Sequence, residues 1–261
     1  MTLLGPFDPH PVRVSNPEGA APFLLVSDHA GRRRPRACGD LGVAHRDWDR
    51  HIAYDIGIKG LGALLARTLD ACLVEQRYSR LVIDCNRPPG HESSIPRTSE
   101  HTPIPANHDL TGTARREREE DILHPYQRAI AACIARRQAA SRRTILIALH
   151  SFTPTYDGIA RRWDAAILHE NTDPAVNDRF APRVLHALRR EPGLVVGDNE
   201  PYRLTPASDY TVPLHAWSAG LDHVELEIRQ DLIGDETGQA EWAARMARLL
   251  RTAAEQEGEG T

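Results

Sequence analysis

Three apolar runs in this sequence end in groups able to bind a metal or move a proton. Leu24-Leu25-Val26 runs into Ser27-Asp28-His29-Ala30-Gly31, Ile145–Leu149 runs into His150-Ser151, and Val224-Glu225-Leu226-Glu227-Ile228 runs into Arg229-Gln230-Asp231. Apolar runs of this length are candidate buried strands, and in an α/β protein ligands gather outside the carboxyl ends of strands. If the three strands are parallel, His29, His150 and Glu227 share one rim. A catalytic zinc takes three His or carboxylate ligands and keeps a fourth position for water. The third ligand is expected from the segment after His29, where His51, Asp47 and Asp55 are available. His51 is the favoured candidate, with Asp55 oriented behind it or serving as the alternative ligand, because carboxylates commonly orient a ligand imidazole. Imidazole ligation also suits Fe, Ni or Cu.

Glu225 and Glu227 point to one face of their strand, since side chains alternate along it. A carboxylate inside a buried strand needs a partner or a task. Glu227, nearer the carboxyl end, is placed to take a proton from metal-activated water, the competing reading being an ion pair with Arg229. In Ser79-Arg80-Leu81-Val82-Ile83-Asp84-Cys85-Asn86-Arg87, a strand over Leu81–Asp84 would deliver Asn86 and Arg87 to its exit. A guanidinium forks onto a carboxylate through two parallel hydrogen bonds, which suits it to a substrate acid group.

Elements that alternate in type must position these groups. Residues 1–21, with Pro6, Pro9, Pro11 and Pro17, read as an irregular arm before a strand over Pro22–Ser27. A helix is expected from Asp47 to Leu69, which would put His51 and Asp55 on one face of its first turns. Strands follow at Ala71–Glu75 and Leu81–Asp84, then a long polar segment over 86–113, a length that points to function. A helix over Ala114–Ala140 contains Pro125, which predicts a kink or break. Then come strands Thr144–Leu149 and Ala165–Leu168, a helix over Pro174–Arg190 and a short strand over Leu194–Val196. A short helix over Thr211–Ser218, a strand over His223–Ile228 and a helix from Glu236 to about Glu255 end the chain. No repeat or composition shift marks a second domain. The expectation is an α/β fold, one domain with a mainly parallel mixed sheet and helices on both faces.

The 261 residues carry a formal charge of -4, which gives no global pull toward nucleic acid or an acidic membrane. Lys59 is the only lysine, and the run Arg32-Arg33-Arg34, which could meet an anionic substrate, better fits a solvated loop. Cys38, Cys72, Cys85 and Cys133 lack metal or redox spacing. No secretory signal or membrane-spanning run is visible, so a cytoplasmic location is expected. The Gly-x-Ser-x-Gly elbow of serine hydrolases and Gly-rich phosphate loops are also missing.

Taken together, several pieces resemble the N-formylglutamate amidohydrolase family: Ser27–Gly31, His51-Ile52-Ala53-Tyr54-Asp55-Ile56-Gly57, Ser79–Arg87, His124-Pro125-Tyr126, His150-Ser151-Phe152-Thr153-Pro154, Gly197-Asp198-Asn199-Glu200-Pro201-Tyr202 and Glu227–Asp231. They occur in family order across most of the chain. The resemblance implies a phosphorylase/hydrolase-like fold, akin to zinc carboxypeptidases and aspartoacylase-type deacylases, with one zinc per chain. It matches His29 and His150 to metal ligands and Glu227 to the general base. It also matches Asn86 and Arg87 to substrate-carboxylate contacts and Arg80 to the arginine that polarises the scissile carbonyl. Arg229 and Ser151, in the same pieces, are further candidate substrate contacts. The His-x-x-Glu pair of carboxypeptidases is missing, since Arg32 stands three residues after His29; His51 is therefore supplied by position. The expected partner is a small N-acyl amino acid, with neither nucleic acid nor membrane. A metallocarboxypeptidase, a peptide amidase or a non-catalytic amino-acid binder are the alternatives.

Overall fold

The computed structural model describes residues 2–170 and 179–256. Its strands are β1 (Val12–Ser15), β2 (Phe23–Ser27), β3 (Cys72–Gln76), β4 (Thr98–Ser99), β5 (Thr102–Pro103), β6 (Ile145–Phe152), β7 (Thr155–Tyr156), β8 (Ile159–Ala160), β9 (Ala165–Leu168), β10 (Val196–Asp198) and β11 (Asp222–Arg229). The α-helices are α1 (Ile58–Leu69), α2 (Gly112–Arg118), α3 (His124–Ala139), α4 (Phe180–Arg189) and α5 (Glu236–Glu255). Seven strands form one sheet in the order β1-β3-β2-β6-β11-β9-β10. The central four, β3, β2, β6 and β11, are parallel. At the edges, β1 is antiparallel to β3 and β9 antiparallel to β11. Two short hairpins, β4–β5 and β7–β8, stand apart from the sheet.

The central strands are apolar almost throughout because both faces are covered. On one face Leu25, Leu73, Ile147, Leu149, Val224 and Leu226 meet α1, α4 and α5 through Leu61, Leu65, Val184, Trp242, Met246 and Leu250. On the other, Leu24, Val26, Val74, Leu146 and Ala148 meet Tyr126, Ile130 and Ile134 of α3, with Ile83, Ile95 and Ile104 from loops. The helix stripes follow their sequence spacing. All of this buries a continuous core on each side of the sheet, as an α/β fold requires.

Three expectations are corrected, and one is met. The arm before β2 is not wholly irregular: Val12–Ser15 pairs along β3 as an edge strand. The helix expected from Asp47 begins only at Ile58. A single short 3₁₀ turn covers His45–Asp49, then the chain turns irregularly to Gly57, whose φ of 83° is the left-handed region that glycine adopts without a Cβ clash. Leu81–Asp84 is not a strand but a buried turn, held by the Val82 N–H on the Ser79 carbonyl at 2.9 Å. The break expected at Pro125 is present as a wide π turn over Glu119–Leu123, which accommodates the missing N–H and the ring of Pro125.

Smaller shifts occur elsewhere. The short strand lies at Val196–Asp198, and Pro213–Trp217 is a π turn within the expected short helix. Part of the helix expected over Pro174–Arg190 lies outside the described residues. Among the described residues all four cysteines are free, and no helix is long and apolar enough to cross a membrane.

Candidate metal centre and substrate pocket

At the carboxyl ends of β2 and β6, three buried side chains converge. His29 Nδ1 and His150 Nδ1 are 3.2 Å apart, Asp55 Oδ2 lies 3.1 Å from His150 Nδ1, and it lies 3.5 Å from His29 Nδ1. Ligand atoms placed about 2.0–2.1 Å from one zinc in a tetrahedron stand roughly 3.3–3.4 Å from each other. The donor set fits such an ion, and these three residues form a candidate metal cluster. Asp55 reaches it because its backbone N–H donates to the carbonyl of His29 at 3.0 Å. The Ser151 N–H also donates to Asp55 Oδ2, at 3.2 Å.

The outer ring nitrogens meet carboxylates. His29 Nε2 is 2.7 Å from Asp84 Oδ1, and His150 Nε2 is 3.4 Å from Asp28 Oδ2. Carboxylates so placed would orient the two rings toward a bound metal. Arg80 ties the carboxylates together, donating to Asp84 Oδ2 from Nη2 at 2.7 Å and to Asp55 Oδ1 from Nη1 at 3.4 Å.

Charge follows from this packing. Burial pushes the Asp55 carboxyl up, yet the two histidines pull it well below the usual carboxylate range. Asp84 is likewise buried and held well below its usual value by Arg80 and His29. Burial lowers His150, but Asp28 and Asp55 more than reverse this and raise it. Glu227, paired in register with His150 across β11–β6, is pushed up to about 7 by burial, against the pull of His150. Glu225, deeper on the same face, is raised well above its usual value by burial and by Asp209.

The cluster opens into a cavity of about 440 Å³ lined by His29, Asp55, Arg80, His150, Glu225 and Glu227, among others. Asn86, Arg87, Ser151 and His51 also line it. Asn86 is 2% exposed and largely engaged: it donates to Asp209 Oδ1 at 3.0 Å and accepts from the N–H groups of Tyr210 and Thr211 at 2.9 and 3.0 Å. Arg87 uses Nη1 on the carbonyls of Asn86 and Ser208, which leaves its Nε and Nη2 donors. The Ser151 hydroxyl donates to the Ile56 carbonyl at 2.8 Å.

Three sequence candidates lie outside the three-atom cluster. His51 is at the cavity rim, 3.3 Å from Glu100 Oε2, outside the three-atom cluster. The reason is the chain path: without a helix over 50–57, His51 and Asp55 do not share a face. Asp47 accepts from Arg50 at 3.0 Å and does not line the cavity. Arg229 is held by Asp164 at 3.0 Å and Asp231 at 2.8 Å, away from the cavity, because two nearby carboxylates satisfy its guanidinium.

Asp28, Asp84, Tyr156, Tyr202 and Arg203 were not among the sequence candidates. The visible signals for the first two were a carboxylate directly before His29 and another at the end of the apolar run Leu81–Ile83. Tyr202 ends the family-like piece Gly197–Tyr202, but its contact was not visible: its hydroxyl accepts from Arg161 Nη1 at 2.7 Å, a pairing between segments far apart in sequence.

The comparisons with known proteins agree with this architecture. A sequence model described as N-formylglutamate amidohydrolase matches residues 21–234. The structure of gene product Atu2144 from Agrobacterium tumefaciens superposes with a TM-score of 0.92 at 36% identity, covering 98% of this chain and 100% of the other. An N-formylglutamate amidohydrolase from Ralstonia eutropha superposes with a TM-score of 0.70 at 20% identity, covering 95% and 99%, a likeness of fold. No curated protein matches the chain.

Proposed function

The chain belongs to the N-formylglutamate amidohydrolase family, and from that premise we propose that it is a zinc-dependent amidohydrolase cleaving the acyl amide of an N-acyl amino acid such as N-formylglutamate. The observation that carries the metal is the triangle of His29 Nδ1, His150 Nδ1 and Asp55 Oδ2, with edges of 3.1–3.5 Å. One zinc per chain held there would polarise the acyl carbonyl and lower the pKa of a water toward ~7.

Glu227 is the base in this reading. A carboxyl with a pKa of about 7 is matched to proton transfer near neutral pH. It takes a proton from the attacking water and returns it to the departing amine. Arg80 keeps one N–H on each terminal nitrogen after its bonds to Asp84 and Asp55, enough to donate to the developing oxyanion. Arg87 offers its Nε and Nη2 edge to the amino acid's carboxylate, and Asn86 holds the Asp209–Thr211 loop beside it. Ser151 serves Asp55 through its N–H. The partner is thus a small molecule, with no nucleic acid or membrane in the reaction.

The test is metal content by mass spectrometry together with a substrate panel: N-formyl and N-acetyl derivatives of glutamate, aspartate and neutral amino acids, beside short peptides. The expected result is about one zinc per chain and chelator-sensitive release of free amino acid. A protein that takes up no zinc on reconstitution, or releases nothing from any acyl substrate, overturns the proposal.

A further inference from the structure

A buried chain of hydrogen bonds runs from a groove beside α3 to Asp28, which faces His150 on the same side of the sheet, and no step of the proposed reaction uses it. It starts at His215, in a groove between α3 and the turn over Pro213–Trp217 that Leu214, Gln127 and Ile134 also line. His215 Nε2 lies 2.7 Å from Gln127 Oε1. Gln127 Nε2 donates to the Cys85 carbonyl at 2.7 Å and to Thr211 Oγ1 at 3.1 Å. The Thr211 hydroxyl donates to Asp28 Oδ1, and Asp28 Oδ2 faces His150 Nε2 at 3.4 Å. Every member is buried: Thr211 is 0% exposed, Asp28 1%, Gln127 5% and His215 8%.

The donors and acceptors allow one consistent direction. The Cys85 carbonyl only accepts, so the Gln127 amide must turn its NH₂ toward Cys85 and Thr211 and its oxygen toward His215. His215 Nε2 then carries a proton. Thr211 Oγ1 accepts from Gln127, so its single proton goes to Asp28. Asp28 Oδ2 and His150 Nε2 are both buried without a standard hydrogen bond, and they face one another at 3.4 Å. The Tyr126 hydroxyl, equally buried and without another partner, stands against Asp28 as well; burial and the Asp28 carboxylate raise its pKa. Buried polar groups left unmatched are costly, so the chain orients Asp28 as an acceptor toward His150.

We propose that His215, Gln127 and Thr211 are positioning residues: through Asp28 they hold the proton of His150 on Nε2 and leave Nδ1 as the metal-binding nitrogen. The inference rests on the proposed role of His150 as a zinc ligand. It assigns a task to three residues from α3 and the 209–218 segment that touch neither metal nor substrate. Partners behind a ligand imidazole typically change metal affinity by about 10–100-fold when removed.

The experiment compares wild type with Thr211→Val, Thr211→Ser and Gln127→Met. Zinc affinity is measured by competition with a chromophoric chelator, and the His150 ring by ¹⁵N NMR of histidine-labelled, zinc-loaded protein. Thr211→Val keeps the side-chain shape and deletes the hydroxyl; Thr211→Ser restores it. The expected result is a zinc affinity about 10-fold weaker in Thr211→Val and Gln127→Met, and within two-fold of wild type in Thr211→Ser. The protected Nε2–H signal of His150 should be lost or exchange-broadened in the first two and retained in the third. Folded Thr211→Val and Gln127→Met proteins with wild-type affinity and an intact Nε2–H signal overturn the relay while leaving the zinc site standing. If Thr211→Val does not fold, Gln127→Met decides alone. A wild type that binds no zinc overturns both readings.

Discussion

Glu227 stands beside His150 in register with a carboxyl lifted to about 7, and this sets a pH dependence. A general base is active when ionised, so kcat/KM should rise about tenfold per pH unit below the Glu227 pKa and level off above it. A bound dication favours the ionised form and moves the midpoint below its metal-free position. Glu227→Gln should lower kcat by about 10²–10⁴-fold and abolish that limb with zinc content unchanged; a retained acid limb would assign the base elsewhere. His150→Ala and Asp55→Ala should each lose the zinc that elemental analysis finds in wild type, whereas His51→Ala should keep it. Arg87→Ala should reduce kcat/KM for acidic N-acyl substrates by roughly 10–100-fold, the scale of a lost hydrogen bond to a charged group. Arg87→Lys should restore little, because an ammonium cannot form the fork. At this scale the convergence of His29, His150 and Glu227 on one cavity was legible, each ending or interrupting an apolar run. That Asp55 and not His51 packs against the two histidines was not, since both stand in one short stretch and only the path of the backbone separates them.

The element that makes this choice is the corner between His29 and α1. Gly57 closes it with φ of 83°, and a Cβ there would lie 2.1 Å from the Ile233 carbonyl oxygen. Gly57→Ala is therefore both strained and crowded, and should destabilise the protein by more than about 1 kcal/mol, read as a lower denaturation midpoint. Because Asp55 lies two residues before Gly57, the same variant should bind zinc more weakly than wild type; unchanged affinity would show that the corner is rigid without it. The β4–β5 hairpin closes the cavity rim in a similar way. Glu100 accepts from Arg50 Nη2 at 2.6 Å and lies 3.3 Å from His51 Nε2, so Arg50 anchors the rim with His51 beside it. The long polar segment over 86–113 thus contributes Ser93, Pro96, Thr98, Ser99 and Glu100 to the cavity wall. Its placement at the site was suggested by its length alone.

At the scale of the whole molecule the buried charges oppose one another across pH. Asp55 and Asp84 titrate below their usual 3.8 in the folded protein. The unfolded chain takes up protons first as pH falls, so their stabilisation is present above about pH 4 and lost below it. Glu225 and Glu227 titrate above their usual 4.5, so the fold favours their protonated forms, and that contribution fades as pH rises through the Glu227 value of about 7. The metal-free protein should be most stable at roughly pH 4–5, with the loss above it beginning at the unfolded glutamate value of 4.5. Zinc, which favours the ionised carboxylates, should extend the upper limit; a pH–stability curve with and without zinc checks both edges. Flat stability across this range would contradict the buried-charge assignment.

The sequence alone determined the alternation of strands and helices, the parallel core and the strand-end positions of His29, His150 and Glu227. These follow from local periodicity, because residues that face a core must repeat with the period of their own element. The tertiary structure decided what depends on contacts between distant segments: Asp55 docked on the His29 carbonyl, Asp84 and Asp28 behind the two imidazoles, Asn86 turned toward Asp209, and Arg229 claimed by Asp164. Such pairings join residues as far apart as Asp28 and Thr211. No window of sequence contains both partners, so which donor meets which acceptor is settled only when the sheet brings them together.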